Sequence, residues 1–133
     1  MTTQQGEITV GAPVEEVRRV LLTPLELADW NPAFTSISGP AVPEVGTTYA
    51  IRVRPGFNGT LEYAAITPER IDIDWQVPGL HEKGTWTLHP SGDATIVRHS
   101  FSHTGPLSVA LRRASRGVAD LRLSRLADRV SQA

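Results

Sequence analysis

Residues 71–104, IDIDWQVPGLHEKGTWTLHPSGDATIVRHSFSHT, decide the fold of this chain. Ile71, Ile73, Trp75 and Val77 alternate with Asp72, Asp74 and Gln76, the period-two pattern of a strand with one buried face. Pro78-Gly79 suits a tight turn, with proline first and glycine at the positive-φ position. Segments 80–89 and 94–104 also read as strands, joined by Pro90-Ser91-Gly92-Asp93. Three strands in hairpin connection predict an antiparallel sheet with one wet and one dry face.

Upstream the pattern continues. Residues 47–54 and 60–66 read as strands, with Pro55-Gly56-Phe57-Asn58-Gly59 between them and Asn58-Gly59 as the two-residue hairpin loop. Residues 67–70 (TPER) turn the chain into 71–77, and 34–38 is a further short strand ahead of the proline- and glycine-rich 39–46. The start of the chain differs. Residues 6–11 (GEITVG) alternate as a strand, and then Pro13 opens a helix with Glu15 and Glu16 in its first turn. Thr23-Pro24 ends it and admits a second short helix over 25–30, which Asn31-Pro32 stops.

Downstream, Gly105-Pro106 introduces about 25 residues of helical pattern. Leu107, Ala110, Leu111, Ala114, Val118 and Leu121 fall on one stripe at 100° per residue. Beyond Gly117 the apolar positions move round to Leu123, Leu126 and Val130. This predicts either a kink near Gly117 or a C-terminal half with a different packing partner. Arg112, Arg113 and Arg116 lie away from the first stripe and read as a solvated face.

Composition narrows the functional classes. The 133 residues suit one domain spanning 1–133. Without cysteine there is no disulfide framework, thiolate metal site or Cys nucleophile. The net charge of -1 divides into 7 basic and 12 acidic residues over 1–105 and six arginines with two aspartates over 106–133. No aromatic residues interleave with those arginines, so nucleic acid is not an expected partner. No stretch has the length of a membrane span and the first residues lack a secretory pattern, so a cytoplasmic protein is the expectation. Phosphate loops, G-x-S-x-G and H-E-x-x-H are all missing, and no cofactor is implied.

A strand, two short helices, an antiparallel sheet of about six to seven strands and one long C-terminal helix make an α+β domain. In that order the elements resemble the START-like, helix-grip superfamily and its polyketide cyclase–dehydrase group. Ile8-Thr9-Val10-Gly11-Ala12-Pro13-Val14-Glu15-Glu16-Val17, Leu27-Ala28-Asp29-Trp30-Asn31-Pro32, Gly46, Gly84-Thr85-Trp86-Thr87-Leu88 and Gly105-Pro106 carry the likeness, over nearly the whole chain. These residues mark a fold rather than a chemistry. The resemblance implies a curved sheet around the terminal helix and a cavity between them for a lipid-, hormone- or polyketide-like ligand. In some members cyclisation or dehydration occurs there.

The period-two rule then selects inward residues. Val97 and Phe101 share a face with Thr95, His99 and His103. Leu80, Trp86 and Leu88 share one with Glu82 and Gly84. Pairing Leu88 with Thr95 across the turn sets Gly84 opposite His99, Glu82 opposite Phe101 and Leu80 opposite His103, while the Pro-Gly turn sets Trp75 opposite Glu82. Glu82, His99 and His103 are the candidate acid–base groups, since a carboxylate beside an imidazole in a dry pocket is a pair whose pKa values shift. The plain alternative is hydrogen bonding at a cavity mouth. Two histidines and a glutamate could also suggest a metal triad, but the spacing is generic and no metal is expected.

The expected cavity lining is Trp30, Tyr49, Ile51, Tyr63, Ile73, Trp75, Trp86, Val97 and Phe101, with Leu111, Ala114 and Val118 from the helix. Tyr63 depends on the Asn58-Gly59 loop, which would turn Ala64 and Ile66 inward instead. Three functions follow in order. The first is binding of a small hydrophobic molecule, and the second is a cyclase or dehydratase using Glu82 with His99 or His103. The third is an interaction domain docking through Arg112, Arg113 and Arg116. The chain is read as a monomer or a homodimer, the latter through Leu123, Leu126 and Val130.

Overall fold

The computed structural model describes residues 2–54 and 56–132, and Thr2 by its backbone alone. Strand β1 (Thr2–Val10) leads into helix α1 (Val14–Leu21), a 3-10 turn (Pro24–Glu26) and helix α2 (Leu27–Trp30). Six strands follow: β2 (Phe34–Ser38), β3 (Thr48–Val53), β4 (Phe57–Ile66), β5 (Arg70–Val77), β6 (Leu80–Ser91) and β7 (Ala94–Thr104). Helices α3 (Leu107–Ala110) and α4 (Val118–Ser131) complete the α+β fold. The seven strands form one antiparallel sheet in the order β1-β7-β6-β5-β4-β3-β2. The first strand therefore closes on the last, and every other neighbour is a sequence neighbour.

Alternation places the inner face as the sequence predicts. Ile71, Ile73, Trp75 and Val77 are buried, and so are Glu82, Trp86, Leu88, Val97, His99, Phe101 and His103. The β6–β7 register differs from the expectation by two residues. Strand β6 runs on through Pro90 to Ser91, which pairs with Ala94, so the loop is only Gly92-Asp93. Trp86 then faces His99, Gly84 faces Phe101 and Glu82 faces His103. A two-residue slip leaves every side chain on its own face but changes its neighbour. Trp75 does lie opposite Glu82.

The β3–β4 hairpin is also redrawn. Its loop covers 54–56, of which Pro55 lies outside the described residues, and Gly56 N–H donates to the Val53 carbonyl at 2.7 Å. Asn58 and Gly59 lie inside β4, opposite Arg52 and Ile51, instead of forming the loop. That register turns Leu61 and Tyr63 inward, and a bulge between Tyr63 and Ala65 changes the alternation after them.

The long helix is broken. Residues 111–117 are turns, and Gly105 and Gly117 bracket this stretch with φ of +103° and +75°. Helix α4 buries Ala119, Leu123, Leu126 and Val130, whereas Leu121 is 42% exposed and Leu107, Leu111 and Val118 are half-buried. The displaced stripe, and not the first one, enters the core. Each large side chain on it contributes roughly 1.5–3 kcal/mol through burial. Of the two alternatives, a kink near Gly117 or a different packing partner for the C-terminal half, the structure shows a break that ends at Gly117.

At Gly105 a Cβ would lie 2.5 Å from the Gly79 carbonyl oxygen, because the β5–β6 turn packs directly on the β7–α3 junction and Leu107 N–H donates to that same oxygen at 3.0 Å. Gly117 has open space around it. Gly105→Ala therefore combines a positive φ with a backbone collision, and Gly117→Ala meets the φ cost alone. In urea denaturation, Gly117→Ala should lose about 1 kcal/mol and Gly105→Ala about 3 kcal/mol or more.

Candidate functional site

Strands β5, β6 and β7 and helix α4 bring five polar side chains together beneath the inner face. Glu82 is 3% exposed and takes four donors. Arg122 Nη1 donates to its Oε2 and Nη2 to its Oε1, both at 2.9 Å. Trp75 Nε1–H donates to Oε2 at 2.8 Å, and His103 Nε2–H to Oε1 at 2.8 Å. A carboxylate has room for about four such bonds, so Glu82 is saturated. Arg122 is also 3% exposed; its Nη1 donates a second time, to His99 Nε2 at 3.2 Å, and its guanidinium carbon lies 4.4 Å from the Phe101 ring centroid.

The histidines occupy different surroundings. His99 donates from Nδ1 to the Thr85 carbonyl at 3.0 Å, which leaves Nε2 as the acceptor for Arg122. Trp86 covers its ring, with centroids 3.7 Å apart and planes 15° from parallel. His103 lies nearer the β5–β6 end of the sheet, and its Nδ1 is 3.4 Å from Ser115 Oγ in the turn segment between α3 and α4. Ser115 Oγ–H donates to the Leu111 carbonyl at 2.9 Å.

The titration of these groups follows from their setting. Burial alone would raise the Glu82 pKa, but the Arg122 charge and the hydrogen bonds from His103 and Arg122 outweigh it and hold the carboxyl well below its usual range. Burial, reinforced by the Arg122 charge, pushes His99 down to about 3. At neutral pH the site therefore holds an ionised Glu82, a cationic Arg122 and an uncharged His99.

Arg122 was not singled out in the sequence, where arginines of the C-terminal segment read as solvated. The signal is its position, three residues after Ala119 and four before Leu126, on the stripe that α4 buries. Ser115 was likewise missed. Arg112, Arg113 and Arg116 are exposed as predicted.

An open pocket of about 420 Å³ adjoins this cluster. Its walls are apolar: Pro32 and Ala33 after α2, Val53 and Phe57 at the β3–β4 hairpin, Val77 and Leu80 at the β5–β6 turn, and Leu107, Leu111, Ala114, Val118 and Leu121 from the C-terminal segment. Trp75, Glu82, His103, Ser115 and Arg122 supply its floor, and Arg54 is at its edge. Of the expected lining, Trp75, Leu111, Ala114 and Val118 are at this pocket. Trp30, Tyr49, Ile51, Tyr63, Ile73, Trp86, Val97 and Phe101 are instead packed in the core with 7% exposure or less. Tyr63 O–H donates to the Leu21 carbonyl at 2.6 Å, and Tyr49 O–H to the Pro40 carbonyl at 2.7 Å, so both phenols are already committed. The hollow lies at one end of the sheet, between its hairpin turns and the broken helix.

No helix of the described residues is long and apolar enough to cross a membrane. Among those residues no three His, Asp or Glu side chains converge on a point that could hold a metal ion.

The comparisons with known proteins agree with this architecture. The family model described as "Polyketide cyclase / dehydrase and lipid transport" matches residues 1–131. Protein MLL2253 from Mesorhizobium loti has a similar structure, with 20% identity, coverage of 98% of both chains and a TM-score of 0.80. A START superfamily protein from Mycobacterium smegmatis is similar at 15% identity, 99% coverage of both chains and a TM-score of 0.77. DynU16, a protein of the dynemicin biosynthetic locus, shares 22% identity over 98% of this chain and 48% of its own, with a TM-score of 0.70. These likenesses establish the fold. Among curated proteins, none matches the sequence.

Two predictions come from the buried cluster. Breaking a buried ion pair strands a charge, so Glu82→Gln and Arg122→Met should each lose about 3 kcal/mol or more in guanidinium denaturation. The double variant should lose much less than the sum of the two. The second concerns acid. Below about pH 6.5 an unfolded His99 takes up a proton that the folded one refuses down to about 3, and below about 4.5 an unfolded Glu82 is protonated while the folded one stays ionised. More protons bind to the unfolded chain in both windows, so stability must fall as pH is lowered. Unfolding free energies measured from pH 8 to pH 4 should show this decline, and His99→Gln should flatten its part between about pH 6.5 and pH 4.5.

Proposed function

The chain belongs to the polyketide cyclase / dehydrase and lipid transport family, and within that family we propose that it binds a small hydrophobic molecule in the pocket between the hairpin ends of the sheet and the broken C-terminal helix. One observation carries this reading: a pocket of about 420 Å³ with apolar walls and a small polar floor. Ligand sites have volumes of about 300–1,000 Å³ and combine mostly apolar lining with a few placed polar groups. Phe57 and Leu121, each more than 40% exposed, stand at this pocket, where an occupant would cover them.

An acid–base role for Glu82 with His99 or His103 fits the site less well. Glu82 is saturated by four donors and held ionised, so it has no proton to give and no free lone pair with which to take one. His99 is sealed beneath Trp86 and does not line the pocket. A general base needs a pKa near the working pH and direct reach to its proton. His103 lines the pocket, but its Nε2–H is committed to Glu82. These four donors and the stacked ring are better explained as support for the pocket floor.

Nile red, an uncharged apolar dye, should bind the protein at one molecule per chain with a rise in fluorescence. Ala114→Trp and Val118→Trp, which put an indole into the pocket, should weaken that binding at least tenfold while leaving the unfolding midpoint nearly unchanged. Native mass spectrometry of freshly purified protein should show a co-purified small molecule that these variants lose. Undiminished dye binding in both variants, or none in the parent protein, would overturn the proposal.

A further inference from the structure

The donors of Arg122 are not all used, and the unused ones have a direction. A guanidinium offers five N–H donors in one rigid plane. Nη1 spends both of its hydrogens, on Glu82 Oε2 and His99 Nε2, and Nη2 spends one on Glu82 Oε1. The second hydrogen of Nη2 and the Nε–H remain, and Nε has no partner among the described residues. Because Glu82 takes the end of the plane and His99 the side next to Nη1, the two free hydrogens share the opposite edge. That edge lies on the Nη2 side, next to the Oε1 that His103 also contacts. Glu82, His103 and Arg122 line the pocket, and His99 does not.

From this we infer that the pocket takes an uncharged, largely apolar molecule carrying one carbonyl-type oxygen, which accepts from the free edge of Arg122. The inference rests on the pocket-binding reading above and adds the chemical class of the ligand. Two further observations restrict that class. The positive charge of Arg122 is already balanced by Glu82 at 2.9 Å, so a carboxylate seated at this edge would add a negative charge beside an existing one, and the pocket's other arginine, Arg54, has its Nε on the Pro32 carbonyl. A plain hydrocarbon would leave the buried Nε–H without an acceptor, which forgoes a hydrogen bond to a charged group. A ketone or ester satisfies both conditions. Less than 1 Å² of Nε is exposed, so the oxygen reaches this edge only when the side chains over it move aside.

The test compares nonane, methyl octanoate and octanoate as competitors for Nile red on the wild-type protein. Methyl octanoate should displace the dye at about one-tenth the concentration needed for either of the others, the size expected of one hydrogen bond to a charged donor. If nonane and methyl octanoate compete equally, the ligand class is wrong and the pocket reading stands. If octanoate competes best, the site takes an anion and the inference falls. If none of the three displaces bound dye, the inference and the pocket reading fall together. Arg122→Lys keeps the charge opposite Glu82 but has no second edge. It should lose the preference for the ester over the hydrocarbon, whatever its affinity for the dye, whereas full retention of that preference would overturn the inference. The wild-type series decides even if this variant does not fold.

Discussion

The pairing of Glu82 with Arg122 governs how this sheet and its terminal helix fit together. A carboxylate this deep in the protein would be intolerable alone, since an unpaired buried charge costs far more than a small domain has to spare. An ion pair by itself only approaches break-even once desolvation is counted. Here the balance is tipped by neighbours. Trp75 and His103 satisfy the rest of the carboxylate, while His99 and the Phe101 face receive the rest of the guanidinium. Each of these residues comes from a different place on β5, β6 or β7, and Arg122 comes from α4. The network therefore sets the position of α4 along the sheet more sharply than interchangeable Leu and Val contacts could, because a shift of one turn would leave charges unpaired on both sides.

The pocket lies beside this network. The segment between Gly105 and Gly117 is not one straight helix, since residues 111–117 are turns and Gly117 has a φ of +75°. It leaves the sheet at the β5–β6 turn, where Leu107 is tied to Gly79, touches it again where Ser115 meets His103, and becomes helical once more at Val118. The space it skirts is floored by the ion-pair network and walled by the hairpin ends. A core packed with Tyr49, Tyr63, Trp86 and Phe101 fills the rest of the interior, so a hollow and a dense hydrophobic centre lie side by side beneath one sheet.

How much of this was legible in the sequence depends on the kind of information each feature uses. Strand faces follow from alternation and are insensitive to a shift of two residues, which is why alternation alone puts Glu82, His99 and His103 inward although their β6–β7 partners differ from those the turn composition predicts. Partners across a hairpin depend on the length of the loop, and Pro90-Ser91 continued as strand where turn composition suggested otherwise. The Asn58-Gly59 pair misled for the same reason: a strong turn dipeptide lost to pairing with Arg52 and Ile51. Gly117 correctly marked a break. Arg122 was hidden because arginine ordinarily belongs at the surface. Its place on the Ala119/Leu126/Val130 stripe, together with a glutamate on the dry face in need of a counter-charge, was the available clue. The pocket's location required the three-dimensional exit angle of the broken helix, which no local pattern encodes.

The closing of β1 upon β7 has a consequence for the order in which this protein assembles. Five of the six strand pairings join neighbours in the chain and can form as the polypeptide lengthens, but Thr2–Val10 must wait for residues 95–103, and α4 must arrive later still to cover them. Until then the inner faces of β5 and β6, with Glu82 among tryptophans, are covered only in part, where Trp30 of α2 packs on Trp86 and Phe34 on Trp75. Such long-range closure slows folding and prolongs the exposure of sticky surface. During synthesis the chain thus carries this partly open surface from the completion of β6 at Ser91 until α4 brings Arg122 to Glu82 and closes it.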